Sequence, residues 1–394
     1  MTDKASEQSG AQGPVFFSYG FRPFFLGAAL FAGLAVPAWV AMFAGTGGPN
    51  VLYAPREWHV HEMVFGFLPA VITGFLLTAI PNWTDRPPVM GAPLIWLSLL
   101  WVGGRLVIAV SLLPPFGTAT IDAAFLIVMA GYVWRELSTA GSWAHAPVGV
   151  VISLYAGANI LFHLLALSGA ESDLAMRMAL SLLMVLLTFI GGRLTPNFTR
   201  EYLAEHRMPQ RPGASSRFDV PSLALTGVGA VAWTIQPETM ATGWILLAAG
   251  LANLGRLLHW YGWLTWREPL VLMLHVGYGW LAISLIVLGG AGLGVGLPTT
   301  EALHALTTGS VGAMTLAVMT RASLGHTGRP RHAGPLTVCM YLLVNLGALL
   351  RVFGPTTGLP VNLVLGAAAV CWSGAYLLFA AVYGPMLLRP SLDE

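Results

Sequence analysis

Apolar residues run through this chain in blocks of about twenty, separated by short stretches rich in proline, glycine and arginine. A helix needs about 20 apolar residues to cross the hydrocarbon core of a bilayer. Cutting at turns and charges predicts twelve such spans, near 16–44, 57–80, 92–113, 119–136, 147–168, 174–193, 219–236, 241–260, 268–291, 300–321, 335–353 and 359–387. The longest connection, roughly 194–218, is too short for a soluble domain, so 1–394 reads as a single polytopic, all-α membrane domain. Residues 1–15 are polar and lack the charged-then-apolar order of a signal peptide, which predicts a disordered cytoplasmic tail.

Composition agrees with lipid as the main solvent. Hydrophobic residues make up 56% of the 394 and charged ones only 9%, against about 25% charged in a typical soluble domain. The net charge of +2 is too small to suggest a nucleic-acid partner. Cys339 and Cys371 lie in apolar runs with no CxxC or CxxCH pattern, so thiolate zinc, covalently attached haem and structural disulfides are not expected.

The arginines set an orientation, because basic loops stay on the cytoplasmic side. Arg193, Arg200, Arg207, Arg211 and Arg217 follow the sixth span; Arg321, Arg329 and Arg331 follow the tenth; Arg86, Arg135, Arg256 and Arg267 follow the second, fourth and eighth. The opposite loops hold only Arg56 and Arg177. Both termini are therefore expected in the cytoplasm.

An internal repeat is visible. His61–Pro87, HEMVFGFLPAVITGFLLTAIPNWTDRP, aligns without a gap on His304–Pro330, HALTTGSVGAMTLAVMTRASLGHTGRP, pairing His61 with His304, Gly66 with Gly309 and Arg86 with Arg329. TPNFTR (Thr195–Arg200) echoes IPNWTDR (Ile80–Arg86) at the exit of the sixth span. The step is four helices each time, and an even number makes the units parallel. The expected architecture is three parallel four-helix repeats, roughly 16–136, 147–260 and 268–388.

Ionisable groups inside a bilayer are costly and mark functional candidates. His59, His61, His163 and His304 fall toward the periplasmic ends of the second, fifth and tenth spans, with Glu62 and Glu301 beside them; His275 lies about two turns into the ninth. Neutral imidazole ligates haem iron and copper; alternatively each ring is an interfacial residue bonded to a backbone carbonyl. His59 and His61 point about 200° apart on a regular helix, so they are not expected to share a metal. The repeat makes His61 and His304 the expected axial ligands of a noncovalent b-type haem, leaving His59, His163 and His275 for a second metal, copper. Glu62 is a candidate proton relay or partner of a metal-bound histidine. Arg105 and Arg351 occupy related places in the repeat and either bind haem propionates as bidentate forks or, for Arg351, reach to water. Arg56 would also lie near propionates on the periplasmic side.

GFRPFFLGAALFA, WHVHEM, IPNWT, LHVGYGW, LHALTTGSVGAMTLAVMTR and LGHTGR together resemble the NnrS family of bacterial membrane proteins, from the first span to the last. The resemblance implies a haem- and copper-containing inner-membrane protein linked to nitric oxide metabolism, denitrification and resistance to nitrosative stress. His59, His61, Glu62, His275, His304, Arg321, His326 and Arg329 fall in those motifs; His163 does not. The three-by-four helix plan is also similar to the catalytic subunit of the haem–copper oxidase superfamily, where helices two and ten hold a haem and helices six and seven carry copper histidines. Here the sixth and seventh spans contain no histidine, and His206 is only in their connecting loop.

Three functions remain open on this reading. One is an oxidoreductase resembling nitric oxide reductases, drawing electrons from quinol or another donor. The second is non-enzymatic binding or sensing of nitric oxide, and the third is a haem or metal transporter.

Overall fold

In the computed structural model, which describes residues 14–48, 52–213 and 215–392, twelve helical rods alternate in direction through short turns. Eleven are long and apolar enough to cross a membrane: α1 Phe21–Phe43, α2 Pro55–Thr84, α3 Ala92–Val110, α4 Pro115–Ala140, α5 Trp143–Leu167, α6 Asp173–Glu205, α8 Met240–Leu258, α9 Pro269–Gly292, α10 Thr299–Gly325, α11 Pro335–Thr357 and α12 Val361–Leu387. The remaining rod, α7, is apolar but has only 17 residues, Asp219–Ile235. At 1.5 Å per residue it is about 26 Å long, a few ångströms short of a ~30 Å hydrocarbon core. No strand occurs among the described residues. The chain is thus an all-α, multi-pass membrane protein. The expected polar tail, residues 1–15, lies outside the described residues except for its last two.

Several rods open on proline within the first turn, where its missing N–H costs no hydrogen bond: Pro55, Pro93, Pro115, Pro269 and Pro335. Once the apolar faces are in lipid, helix association relies on close packing and polar contacts. The tightest contact joins α8 and α9. A Cβ on Gly250 would lie 2.8 Å from the carbonyl oxygen of Ala282, and one on Gly289 would lie 2.7 Å from that of Gly243. Only glycine permits that backbone approach.

Burial separates inner from outer rods. The most apolar windows of α2 and α10 are 72% buried, against 33% for α3, which turns Trp96, Leu99 and Leu106 outward. The rods α2, α6 and α10 share another feature. Each contains a π-helical turn: Glu62–Phe67, Leu187–Gly191 and Ala305–Val311. Such a turn frees carbonyls from the helical ladder, and a buried carbonyl requires another donor. In α2, Trp101 Nε1 donates to Gly66 (2.9 Å) and the Tyr155 hydroxyl to Val64 (2.5 Å). In α6, Arg256 donates to Thr188 (2.8 Å) and Gly192 (3.2 Å). Arg256, expected in the loop after the eighth span, is instead buried in the last turn of α8, where it also binds Asp219 at 2.6 Å.

Candidate metal and cofactor sites

Two histidine centres lie at the end of the bundle opposite the arginine-rich loops, and α2 contributes to both. The first is closed and polar. α2 brings His61 and Glu62, α3 Arg105, α4 Asp122, and α5 Asn159 and His163; all six are below 10% exposed. One ligand atom each from His61, Asp122 and His163 falls within 4.8 Å of the others. His163 Nε2 donates to Asp122 Oδ2 (2.9 Å), Asn159 donates to the same oxygen (2.9 Å), and His163 Nδ1 accepts from the Tyr53 hydroxyl (2.5 Å). Burial, with the charge of Glu62, raises the Tyr53 pKa, so the phenol keeps its proton and remains a donor.

Charge in this centre is unbalanced. Arg105 donates to Glu62 (2.6 Å) and to Asp122. Two formal negative charges therefore meet one positive charge while both imidazoles are neutral. His61 is also over-supplied with acceptors. Its Nδ1 faces Glu62 Oε1 at 2.9 Å, and its Nε2 lies 3.2 Å from both Asn159 Oδ1 and Asp122 Oδ2. A neutral ring carries one N–H and cannot donate at both nitrogens. A cation held by His61 Nε2, His163 Nε2 and Asp122 would resolve both mismatches. His163 Nδ1–H would then donate to Tyr53, and Glu62 would accept from His61 Nδ1–H, the usual outer support of a metal-bound histidine.

The second centre is a cavity between α1, α2, α6, α10, α11 and α12 that leaves about 140 Å³ open to the centres of water-sized atoms. Its walls are mainly aliphatic and aromatic, and His59, His304 and Arg351 project among them. The His59 ring stacks on Trp39 with centroids 4.2 Å apart. His304 Nδ1–H donates to the Thr300 carbonyl at 2.7 Å, which leaves Nε2 with a free lone pair, the form that binds a metal. Arg351 lies 3.7 Å from Glu301, and its Nε is buried without a partner among the described residues. Two imidazoles, one under-used guanidinium and otherwise apolar walls suit a flat, largely apolar cofactor with acidic groups.

The geometry redistributes the residues expected from sequence. His61 does not line the cavity that His304 lines; its partner there is His59, because His59 and His61 emerge on opposite sides of α2. His163, which matched no motif, joins His61. His275 joins neither centre: near the start of α9, its Nε2 meets the Thr199 hydroxyl at 2.7 Å and Gly262 packs against its ring. Arg105 is engaged by two buried carboxylates and has no fork to offer a propionate. Arg56 is exposed and pairs with Asp173 at 2.7 Å. Of the basic residues proposed for propionates, only Arg351 faces the cavity. Asp122, Asn159 and Tyr53 were not singled out from sequence, although an aspartate inside TIDAAFLIV is the kind of intramembrane charge that marks a site.

Fold and centres together define a multi-pass helical membrane protein with buried nitrogen and oxygen donors of the type that hold metals. The model of the NnrS protein family matches residues 15–391, nearly the whole chain, and the chain belongs to the NnrS family. No curated protein matches it.

Proposed function

We propose that this chain is a haem- and copper-containing protein of the bacterial inner membrane that binds nitric oxide, in nitric oxide metabolism and resistance to nitrosative stress. The observation that carries the reading is the pair of separate histidine centres on α2, one an apolar cavity, the other compact and anionic. His59 and His304 would hold a b-type haem, with Arg351 taking a propionate. His61, His163 and Asp122 would hold copper, a nitrogen–oxygen set that suits the divalent ion. Bound there, the two groups would supply an iron that takes up nitric oxide and a one-electron redox partner. The protein's part is to fix ring tautomers through Thr300, Glu62 and Tyr53, and to exclude water with aliphatic walls.

If His59 and His304 both held the iron, nitric oxide would bind only in place of one of them. Reversible binding or sensing, which asks for that one displacement, is favoured over reduction, which also asks for electrons and protons; a haem or metal transporter is the third reading. The matching π turns after His61 and His304 support three parallel repeats, α1–α4, α5–α8 and α9–α12, with α7 as a shallow twelfth crossing. The π turn of α6 lies nearer its exit than the other two. The arginine-rich end would face the cytoplasm, together with both termini.

The test is metal and haem analysis of the purified protein and of two sets of variants. His59→Ala and His304→Ala should lose haem and keep copper; His163→Ala and Asp122→Asn should do the reverse. Loss of haem in His61→Ala, with haem retained in His59→Ala, would restore the repeat-based pair. Anaerobic loss of nitric oxide with a quinol donor would then separate reduction from binding.

A further inference from the structure

The cavity at His59 and His304 is the first of three that lie in line between α2, α6 and α10. The second, in the middle of the bundle, shares Leu68, Leu183 and Val311 with the first. It shares Phe75, Leu194 and Val318 with the third, which opens among Arg321, Arg329 and Arg331 at the arginine-rich end. Each shared set is a ring with one residue from α2, one from α6 and one from α10. The gapless alignment that pairs His61 with His304 also pairs Leu68 with Val311 and Phe75 with Val318. In each ring the internal repeat therefore sets related positions of α2 and α10 opposite a residue of α6.

The middle cavity decides what can occupy this column. Its lining side chains are apolar except for Thr315, whose hydroxyl donates to the Val311 carbonyl (2.7 Å) or bonds the Tyr376 hydroxyl (2.7 Å). Water and ions find no free polar partner there. The space open to the centres of water-sized atoms is about 90 Å³. A cavity of about 150 Å³ lined by leucine, isoleucine and phenylalanine stays dry and takes up xenon or benzene, so the middle cavity suits an occupant of a few atoms. The geometry points to a store and passage for a small, uncharged, apolar gas, leading along the α2–α6–α10 axis to the histidine cavity. Side-chain rotamer motion at the two rings is fast enough to admit such a molecule. That the gas is nitric oxide on its way to a haem rests on the function proposed above; the column itself does not.

Xenon is the probe. Crystals of the full-length protein pressurised with xenon should show an anomalous peak between the two rings and a second in the histidine cavity. Leu194→Trp and, independently, Val318→Phe fill the lower ring, whose residues do not line the histidine cavity, and should remove the middle peak. In haem-loaded protein either variant should slow rebinding of nitric oxide after flash photolysis by ~10-fold with an unchanged spectrum. A wild-type protein that takes up no xenon between the rings overturns the column, whatever its haem content. So does a folded ring variant that retains both the xenon peak and the rebinding rate. Xenon in the column of a protein that binds no haem would instead leave the column standing and refute the function proposed for it.

Discussion

His61 and His304 occupy the same place in two copies of one sequence pattern, and each immediately precedes a π turn. Their surroundings are opposite. Around His61, α3, α4 and α5 supply Arg105, Asp122, Asn159 and His163, and the ring is fully enclosed. Around His304, the corresponding α12 carries no acid in VNLVLGAAAV, and the ring faces aliphatic walls, Trp39 and Arg351. The two segments share the π turn but not the groups around the ring, because neighbouring helices contribute those groups. Equivalent glycines show the same divergence: a Cβ on Gly66 would meet Arg105 Nη1 at 2.2 Å, and one on Gly309 would meet the Trp280 indole at 2.6 Å.

Removing the arginine of each centre tests this contrast most severely. Arg105→Leu leaves Glu62 and Asp122 buried without a counter-charge, and breaking a buried pair in this way costs about 3–5 kcal/mol. Loss of folded protein in detergent, or a steep fall in its unfolding temperature, is the expected outcome. Arg351→Leu removes a single 3.7 Å contact with one largely buried carboxylate, Glu301, and should cost less, about 1–3 kcal/mol. Equal losses of stability in the two variants would mean that the centres do not differ in the way the structure describes.

The same contrast explains what the sequence revealed and what it concealed. Rod positions, the eleven long spans and the clustering of His59, His61, His163 and His304 at one end were legible, because hydrophobic length and arginine placement act locally. The opposed directions of His59 and His61 also followed from helix geometry alone. Which histidines share a site did not, because it depends on packing between rods. Repeat symmetry suggested His61 with His304; the acid on α4 and the histidine on α5 break that symmetry. Asp122 could have been found from its charge within an apolar run. Arg256 was concealed because a helix-terminal arginine reads as a loop anchor until the π turn of α6 shows which carbonyls it serves. The 17 residues of α7 are a clear apolar run whose depth in the bilayer length alone does not fix.

Cofactor retention gives the next sharpest comparison. Asp122→Asn keeps the shape of the closed centre but removes the negative charge that touches both His61 and His163. Copper affinity should fall by at least 10–100-fold, the range associated with loss of a group supporting metal ligands, as measured by competition with a chelator. Haem content should not change. In the open centre, Thr307 and Thr308 line the cavity alongside His304. Thr307→Val should leave copper untouched and shift the haem spectrum only slightly, since the threonine hydroxyl already donates to the Leu303 carbonyl at 3.1 Å.

Gly66→Ala probes the packing beneath the closed centre. The added methyl displaces the Arg105 guanidinium from its fork over two carboxylates, whereas at Gly309 the methyl presses on a tryptophan that can shift as a body. Overpacking costs about 1–3 kcal/mol, and Gly66→Ala should lie at the upper end with weakened copper binding. Gly309→Ala should destabilise without changing the metal. If both variants lose copper equally, Arg105 does not transmit the strain.

Within the closed centre the smallest effect is expected at Tyr53, which closes it from the segment between α1 and α2. Tyr53→Phe removes a hydroxyl from His163 Nδ1 and leaves a buried ring nitrogen without a partner, at a cost of about 1–3 kcal/mol in principle. The cost should fall toward the low end, because His163 keeps its bond to Asp122. With copper bound, the missing partner is an acceptor for Nδ1–H, so metal affinity should fall several-fold while Asp122 and His61 still hold the ion. Titration of metal-depleted Tyr53→Phe with copper, beside Asp122→Asn, ranks the two groups. A Tyr53 variant as weak as the Asp122 variant would move the phenol from supporting His163 into direct contact with the metal.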